Sequence, residues 1–101
     1  MTLPLIVREQ AECDMVEARD WYEGHREGLG GEFLTAVVDV FDRIRDSPES
    51  YAMEYRGVRP ARLRRFPYIV YYRIVRDSIE VLAVLHGRRH PRAWRSRTEN
   101  R

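Results

Sequence analysis

Two hydrophobic periods alternate along this chain. Leu3 to Val7 is a short apolar run with Pro4 near its start, which predicts a first or edge strand. From Glu9 to Arg26 the apolar positions Ala11, Met15, Ala18 and Tyr22 recur at helical spacing, with Glu12, Arg19, Glu23 and Arg26 around the other side. Glu9 and Glu12 suit the positive end of that helix's dipole. The stretch Gly28-Leu29-Gly30-Gly31 is expected to end it and turn the chain. A second helix is expected from about Glu32 to Asp46, with Phe33, Val37, Val40, Phe41 and Ile44 as its stripe, Leu34 broadening it, and Ser47-Pro48 as its stop.

After Pro48 the period changes. Residues 48–57 read as a loop, although Tyr51, Met53 and Tyr55 alternate and point to partial packing. Val58 to Phe66 reads as a strand, with Ala61 and Leu63 on one side and Arg62 and Arg64 on the other. Pro67 punctuates, and Tyr68 to Val75 is aromatic and β-branched throughout. Arg76-Asp77-Ser78 has hairpin-turn length. Ile79 to His86, interrupted only by Glu80, reads as a strand covered on both faces. Gly87 then frees the backbone and Pro91 forbids a continuing ladder, so this strand ends in Arg88, Arg89 and Arg92 around His90. The polar tail after Trp94 is expected to fray.

The order strand, helix, helix, strand, strand, strand predicts an α+β domain spanning residues 1–101. An antiparallel helical hairpin would pack on one face of a mainly antiparallel four-stranded sheet. The opposite face is expected to be a concave basic surface carrying Arg62, Arg64, Tyr71 and Arg73, with Arg88 and Arg89 at its end. Tyr71 is expected there as an exposed residue, whereas Tyr68 and Tyr72 alternate with Val70 and Ile74 as core positions.

Composition sharpens this picture in one respect. Of 101 residues 44% are apolar and 34% charged, the balance of a globular domain. The net charge of +2 conceals a division: residues 1–55 hold 13 Asp/Glu and 5 Arg, and residues 56–101 hold 3 Asp/Glu and 13 Arg. The two halves therefore carry −8 and +10. All 18 basic residues are Arg, whose planar forks grip carboxylates and phosphates and stay protonated. Hence the second half should seek anionic partners. A single cysteine, Cys13, excludes an intramolecular disulfide and a Cys-rich metal site. No stretch approaches the length of a membrane span, and the start lacks the features of a signal peptide, so the cytoplasm is the expected location. His86 and His90 stand four apart, but Gly87 and Pro91 disallow a helical ligand pair; neither a metal nor a cofactor is expected. Trp21 and Trp94 read as packing residues, and Arg19 and Arg26 as a solvated helix face.

Several segments, in this order and spacing, resemble the RelE/ParE superfamily of type II toxin–antitoxin toxins. They are Ala18-Arg19-Asp20-Trp21-Tyr22-Glu23, Gly30-Gly31-Glu32-Phe33-Leu34, Ser47-Pro48-Glu49, Arg64 through Tyr72, and Val84 through Pro91. The resemblance covers nearly the whole chain. It implies a small toxin neutralised by an acidic antitoxin encoded beside it, whose C-terminal segment wraps over the toxin. The superfamily divides into RelE-like members, which cut mRNA on the ribosome, and ParE-like members, which inhibit DNA gyrase. The segment His86-Gly87-Arg88-Arg89-His90-Pro91 followed by Trp94 is closer to the ParE-like branch.

The chemistry agrees with that choice. Cleavage through a 2′-hydroxyl needs a base, an acid and charge stabilisation at phosphate. Arg62, Arg64, Arg73, Arg88 and Arg89 could supply the last, His86 or His90 could act as the base and Tyr68, Tyr71 or Tyr72 as donors, but no compact acid–base pair follows from the spacing. The expected activity is therefore binding, at Arg62, Arg64, Tyr71, Arg73, Arg88 and Arg89. Ribosome-dependent mRNA cleavage stands as the alternative.

Overall fold

The computed structural model describes residues 3–99. Its elements are β1 (Leu5–Val7), α1 (Glu9–His25), α2 (Leu29–Asp46), β2 (Arg59–Arg62), β3 (Tyr68–Val75), β4 (Ser78–His86) and a short α3 (Arg92–Arg95), followed by a 3-10 turn over Ser96–Thr98. The four strands form one sheet in the order β1-β4-β3-β2. β1 runs parallel to β4, and β2, β3 and β4 are antiparallel neighbours. This is the expected α+β arrangement.

The helical hairpin covers one face. Ala11 and Ala18 of α1 are buried with Phe33, Val37, Val40, Phe41 and Ile44 of α2, over Val70, Tyr72, Val81 and Val84 of the sheet. The hairpin turn is tighter than the glycines suggest. α2 already begins at Leu29, because Gly28 at φ 89 completes the reversal alone. Gly30 and Gly31 lie inside the helix. Gly30 is there for close approach: a Cβ at that position would stand 2.7 Å from the Arg19 carbonyl oxygen of α1. The first turn of α2 has unpaired N–H groups, and the Glu23 carboxylate accepts two of them, from Gly28 and Gly30, both at 2.9 Å. Those two hydrogen bonds hold the Glu23 carboxyl below its ordinary range.

β4 is buried on both faces, as its sequence predicts, and a bulge makes this possible. Tyr71 pairs with Ala83 and Tyr72 with Val81, so Leu82 is an extra residue in β4. Val81 and Val84 therefore point under the helices, while Leu82, Ala83 and Leu85 point to the other side.

That other side differs from expectation. It is not an open basic surface, because Leu82, Leu85, Ile69 and Val58 are too apolar to face water and have acquired their own cover. The segment after Pro91 folds back as α3, and Trp94, 2% exposed, lies over them. Tyr71, expected to be exposed, is buried beneath it, its ring stacked on Trp94 at a centroid distance of 4.6 Å. The tail does not fray through Glu99; its last two residues lie outside the described ones. Arg97 donates to both Asp14 carboxylate oxygens (2.6 and 3.2 Å) and to the Leu82 carbonyl oxygen (3.0 Å).

Two further differences concern the basic strand. β2 ends at Arg62, not Phe66. Ala61 and Leu63 are buried and Arg62 and Arg64 exposed, as the alternation requires, but Arg65 adopts φ 72 and turns the chain towards β3. The loop before β2 is pinned by the Arg59 guanidinium, which donates to the carbonyl oxygens of Glu49 and Tyr51. Tyr72, fully buried, donates its hydroxyl to the Pro48 carbonyl oxygen at 2.7 Å.

Candidate protein-interaction site

The strand register decides which arginines can act together. Arg62 pairs with Ile69 near the start of β3, and Tyr68 pairs with His86 at the end of β4. Arg62, Arg64, Arg88 and Arg89 therefore gather at one end of the sheet. The proximity is direct at Gly87, where a Cβ would lie 3.8 Å from an Arg62 guanidinium nitrogen. Gly87 does not use a left-handed conformation; its N–H donates to the Pro67 carbonyl oxygen at 2.7 Å.

Two grooves meet at this end. One, of about 450 Å3, is lined by Arg62, Tyr71, Arg89, Pro91 and Trp94, with Glu54 at its margin. The other, of about 530 Å3, runs between α1 and the strand ends, lined by Trp21, Tyr22, Tyr68, His86 and Arg89 with Asp14 and Glu17. Arg89 borders both. Together they offer cations beside aromatic surface, the combination that receives a peptide carrying acidic and apolar side chains.

Trp21 is the residue that sequence reading misplaces. It is 57% exposed and lies against His25 with ring centroids 3.9 Å apart, rather than packing in the core. The signal for this is its position beside, not on, the Ala11–Ala18–Tyr22 stripe. Tyr68 belongs to both worlds. It packs on the core, with Phe33 at 5.1 Å, and also lines the groove, edge-on to His86 at 5.4 Å. Burial raises its phenol pKa, while Arg89 pulls it back down. The Tyr71 phenol is raised chiefly by burial as well.

Arg73 does not join this group. Its Nε donates to Glu80 at 2.9 Å, and Glu80 also receives Arg8 at 3.3 Å, near the opposite end of the sheet. Arg73 stands four residues along β3 from Ile69, the partner of Arg62, about 13 Å at the usual strand rise. Arg62, Arg64, Arg88 and Arg89 thus form one group and Arg73 stands outside it, while Arg59, Arg65, Arg95 and Arg97 make contacts of their own.

Both loop histidines serve the backbone. Nδ1 of His86 accepts the Arg88 N–H and Nδ1 of His90 accepts the Arg92 N–H, each at 3.0 Å. Among the described residues no carboxylate hydrogen-bonds or ion-pairs with either ring. The site offers arginine donors for anions beside apolar surface. No group of three His, Cys, Asp or Glu side chains among the described residues could hold a metal ion. Among the described residues no helix is long and apolar enough to cross a membrane.

Known proteins match this chain over most of its length. A family model described as the ParE toxin of the type II toxin–antitoxin system parDE matches residues 5–91. Toxin ParE2 of Mycobacterium tuberculosis is 34% identical over 94 residues, covering 92% of this chain and 90% of that protein, in both strain CDC 1551 and strain H37Rv. Among solved structures, the chromosomal ParDE system from P. aeruginosa shares the fold with a TM-score of 0.63 at 21% identity, over 84% of this chain and 96% of that one.

Proposed function

The chain belongs to the ParE toxin family of type II toxin–antitoxin systems, and from that premise we propose that it acts by binding, as an inhibitor of DNA gyrase neutralised by a cognate acidic antitoxin. The observation that carries this reading is the double groove at the Arg62–Arg89 end of the sheet, where these two arginines stand beside aromatic side chains. Grooves of this kind suit a segment of another protein, and the backbone N–H groups that His86 and His90 accept at Nδ1 hold the loop that carries Arg88 and Arg89 in place.

The roles divide by position. Arg62, Arg64, Arg88 and Arg89 meet carboxylates of the antitoxin. Tyr71 contributes from beneath, by fixing the Trp94 ring that forms one wall. Arg73 contributes by holding Glu80 on the sheet.

Tightly controlled expression in bacteria tests the proposal. Plasmid DNA should lose negative supercoiling while messenger RNA stays intact, and co-expression of the antitoxin should restore supercoiling. Cleaved message during translation, with supercoiling preserved, overturns it in favour of a ribosome-dependent nuclease.

A further inference from the structure

The arginines at the hairpin end of the sheet have their own architecture. Three residues other than glycine adopt positive φ among those described, and all three are arginines: Arg56 at 51°, Arg65 at 72° and Arg76 at 56°. Arg65 is accounted for, since it donates to Glu32 at 2.9 Å. Arg56 has the Tyr55 ring beside its guanidinium, 5.5 Å to the centroid, but neither it nor Arg76 has a carboxylate partner among the described residues. Each occupies a tight turn. Arg56 and Gly57 close the turn between Tyr55 and Val58, where the Val58 N–H donates to the Tyr55 carbonyl oxygen at 2.8 Å. Arg76 and Asp77 close the hairpin between Val75 and Ser78. Glycine or asparagine would take such positions without strain, whereas a long side chain there carries a conformational cost.

Both strained residues line the same open groove of about 630 Å3, at the hairpin end of the sheet. Ile74 and Val75 form its apolar floor, Arg8, Arg73 and Thr98 also line it, and Glu80 is its one carboxylate among the described residues. Glu80 is already shared by Arg73 and Arg8. Arg56 and Arg76 make no ion pair with any described carboxylate, and both are exposed. Strain kept in two turns that converge on one groove needs a reason, and an anion spanning the turns supplies it.

We propose that Arg56 and Arg76, with Arg73 between them, form a site for successive phosphates of a nucleic acid backbone. The groove is open and its rim is made of turn tips, so it suits a chain that passes across it rather than a small molecule enclosed by it. Arginine forks match phosphate oxygens two at a time. The apolar floor residues, Ile74 and Val75, offer no donors or acceptors with their side chains, so the contact is to the backbone and indifferent to sequence. This site is separate from the gyrase and antitoxin reading and stands or falls independently of it.

Fluorescence anisotropy with the full chain and a labelled random-sequence duplex of about 20 base pairs tests it, with the salt varied from about 50 to 200 mM. Arg56→Glu/Arg76→Glu should bind about tenfold more weakly and flatten the salt dependence by about two phosphate contacts. A charge-matched control on the helical layer, Arg26→Glu/Arg45→Glu, should lose much less. Equal losses in the two double variants would reduce the effect to net charge and overturn the site. Arg56→Gly/Arg76→Gly supplies a second readout. It relieves the strained turns, so it should melt no lower than the wild type, and by the usual scaling a few degrees higher, while binding DNA less well. A lower melting temperature would show the arginines to be there for the fold, which contradicts the proposal. Competition by ATP or inorganic phosphate at the concentration of the duplex would assign the groove to small phosphates and equally overturn the backbone assignment.

Discussion

Asp14 and Arg97, 83 positions apart, replace a strand that the sheet lacks. β1 stops at Val7, and the Arg8 N–H makes the last bond along that edge, to the Val81 carbonyl oxygen. Beyond it, β4 still presents a carbonyl oxygen at Leu82 and an N–H at Val84. Arg97 donates to the first at 3.0 Å and Asp14 accepts from the second at 3.0 Å, while the two side chains bind each other through two hydrogen bonds. A sheet edge that would otherwise leave polar groups unpaired under a helix is closed by one ion pair. The same pair anchors the segment that carries Trp94 over the second face.

Removing one member should therefore cost more than a surface ion pair does. The two side chains are only 10% and 14% exposed, so Arg97→Ala leaves Asp14 with a poorly solvated charge and Leu82 with an orphan carbonyl oxygen. The expected loss is about 2–3 kcal/mol, at the low end for buried pairs because some solvent reaches this one. Urea unfolding of the wild type, both single variants and the double variant measures it, and the coupling energy should be positive. A loss within about 0.5 kcal/mol, as for an ordinary surface site, would mean that the C-terminal segment is not held by this pair.

Stability should bend at both ends of the pH scale, for different reasons. The Glu23 carboxyl titrates below its ordinary value when folded, because its ionised form accepts the two N–H groups opening α2. Its contribution is present above the unfolded-state pKa and is lost as pH falls through the folded one. Glu23→Gln should flatten the acid limb of the stability curve. The Tyr72 phenol is pushed up to about 12, mainly by burial. Its contribution is full below the ordinary tyrosine value of about 10 and is lost as pH rises from there to about 12. Tyr72→Phe should flatten the alkaline limb. A titration of the Glu23 carboxyl by NMR that returned an ordinary value would remove the first effect.

Much of this was open to reading in the chain, and the exceptions have physical causes. The helical stripe from Phe33 to Ile44 and the β-branched run from Tyr68 to Val75 declare themselves, because local period and burial agree. The apolar run Val81–Leu85 also declares that both sheet faces are covered. Trp94 could be read as a packing residue, but what it covers could not, since Ala93 and Trp94 stand alone among arginines and serine and such a stretch has no amphipathic period. The partner of Arg97 lies 83 positions away, beyond any local pattern. The basic group split for a related reason: alternation placed Arg73 on the correct face, but only the pairing of Arg73 with Glu80 showed that a neighbouring carboxylate holds it at the far end. The bulge at Leu82 left no mark in the sequence.

At the candidate site the prediction concerns affinity. Arg62→Ala/Arg89→Ala should weaken binding of the antitoxin by about tenfold or more, mainly through faster dissociation, as loss of hydrogen-bonded charge pairs does. Arg88→Ala, on an exposed residue outside both grooves, should cost less. Calorimetry or surface plasmon resonance on the purified pair measures both. Affinity unchanged in the double variant would move the antitoxin's acidic segment elsewhere on the surface.

Binding without bond-breaking is tested most directly with purified components. DNA gyrase, relaxed plasmid and ATP are incubated with increasing amounts of this protein, and supercoiling is read on a gel. Supercoiling should fall as the protein is added and return when the antitoxin is supplied in equimolar amount. Supercoiling that proceeds undiminished at a large molar excess of folded protein would contradict the account.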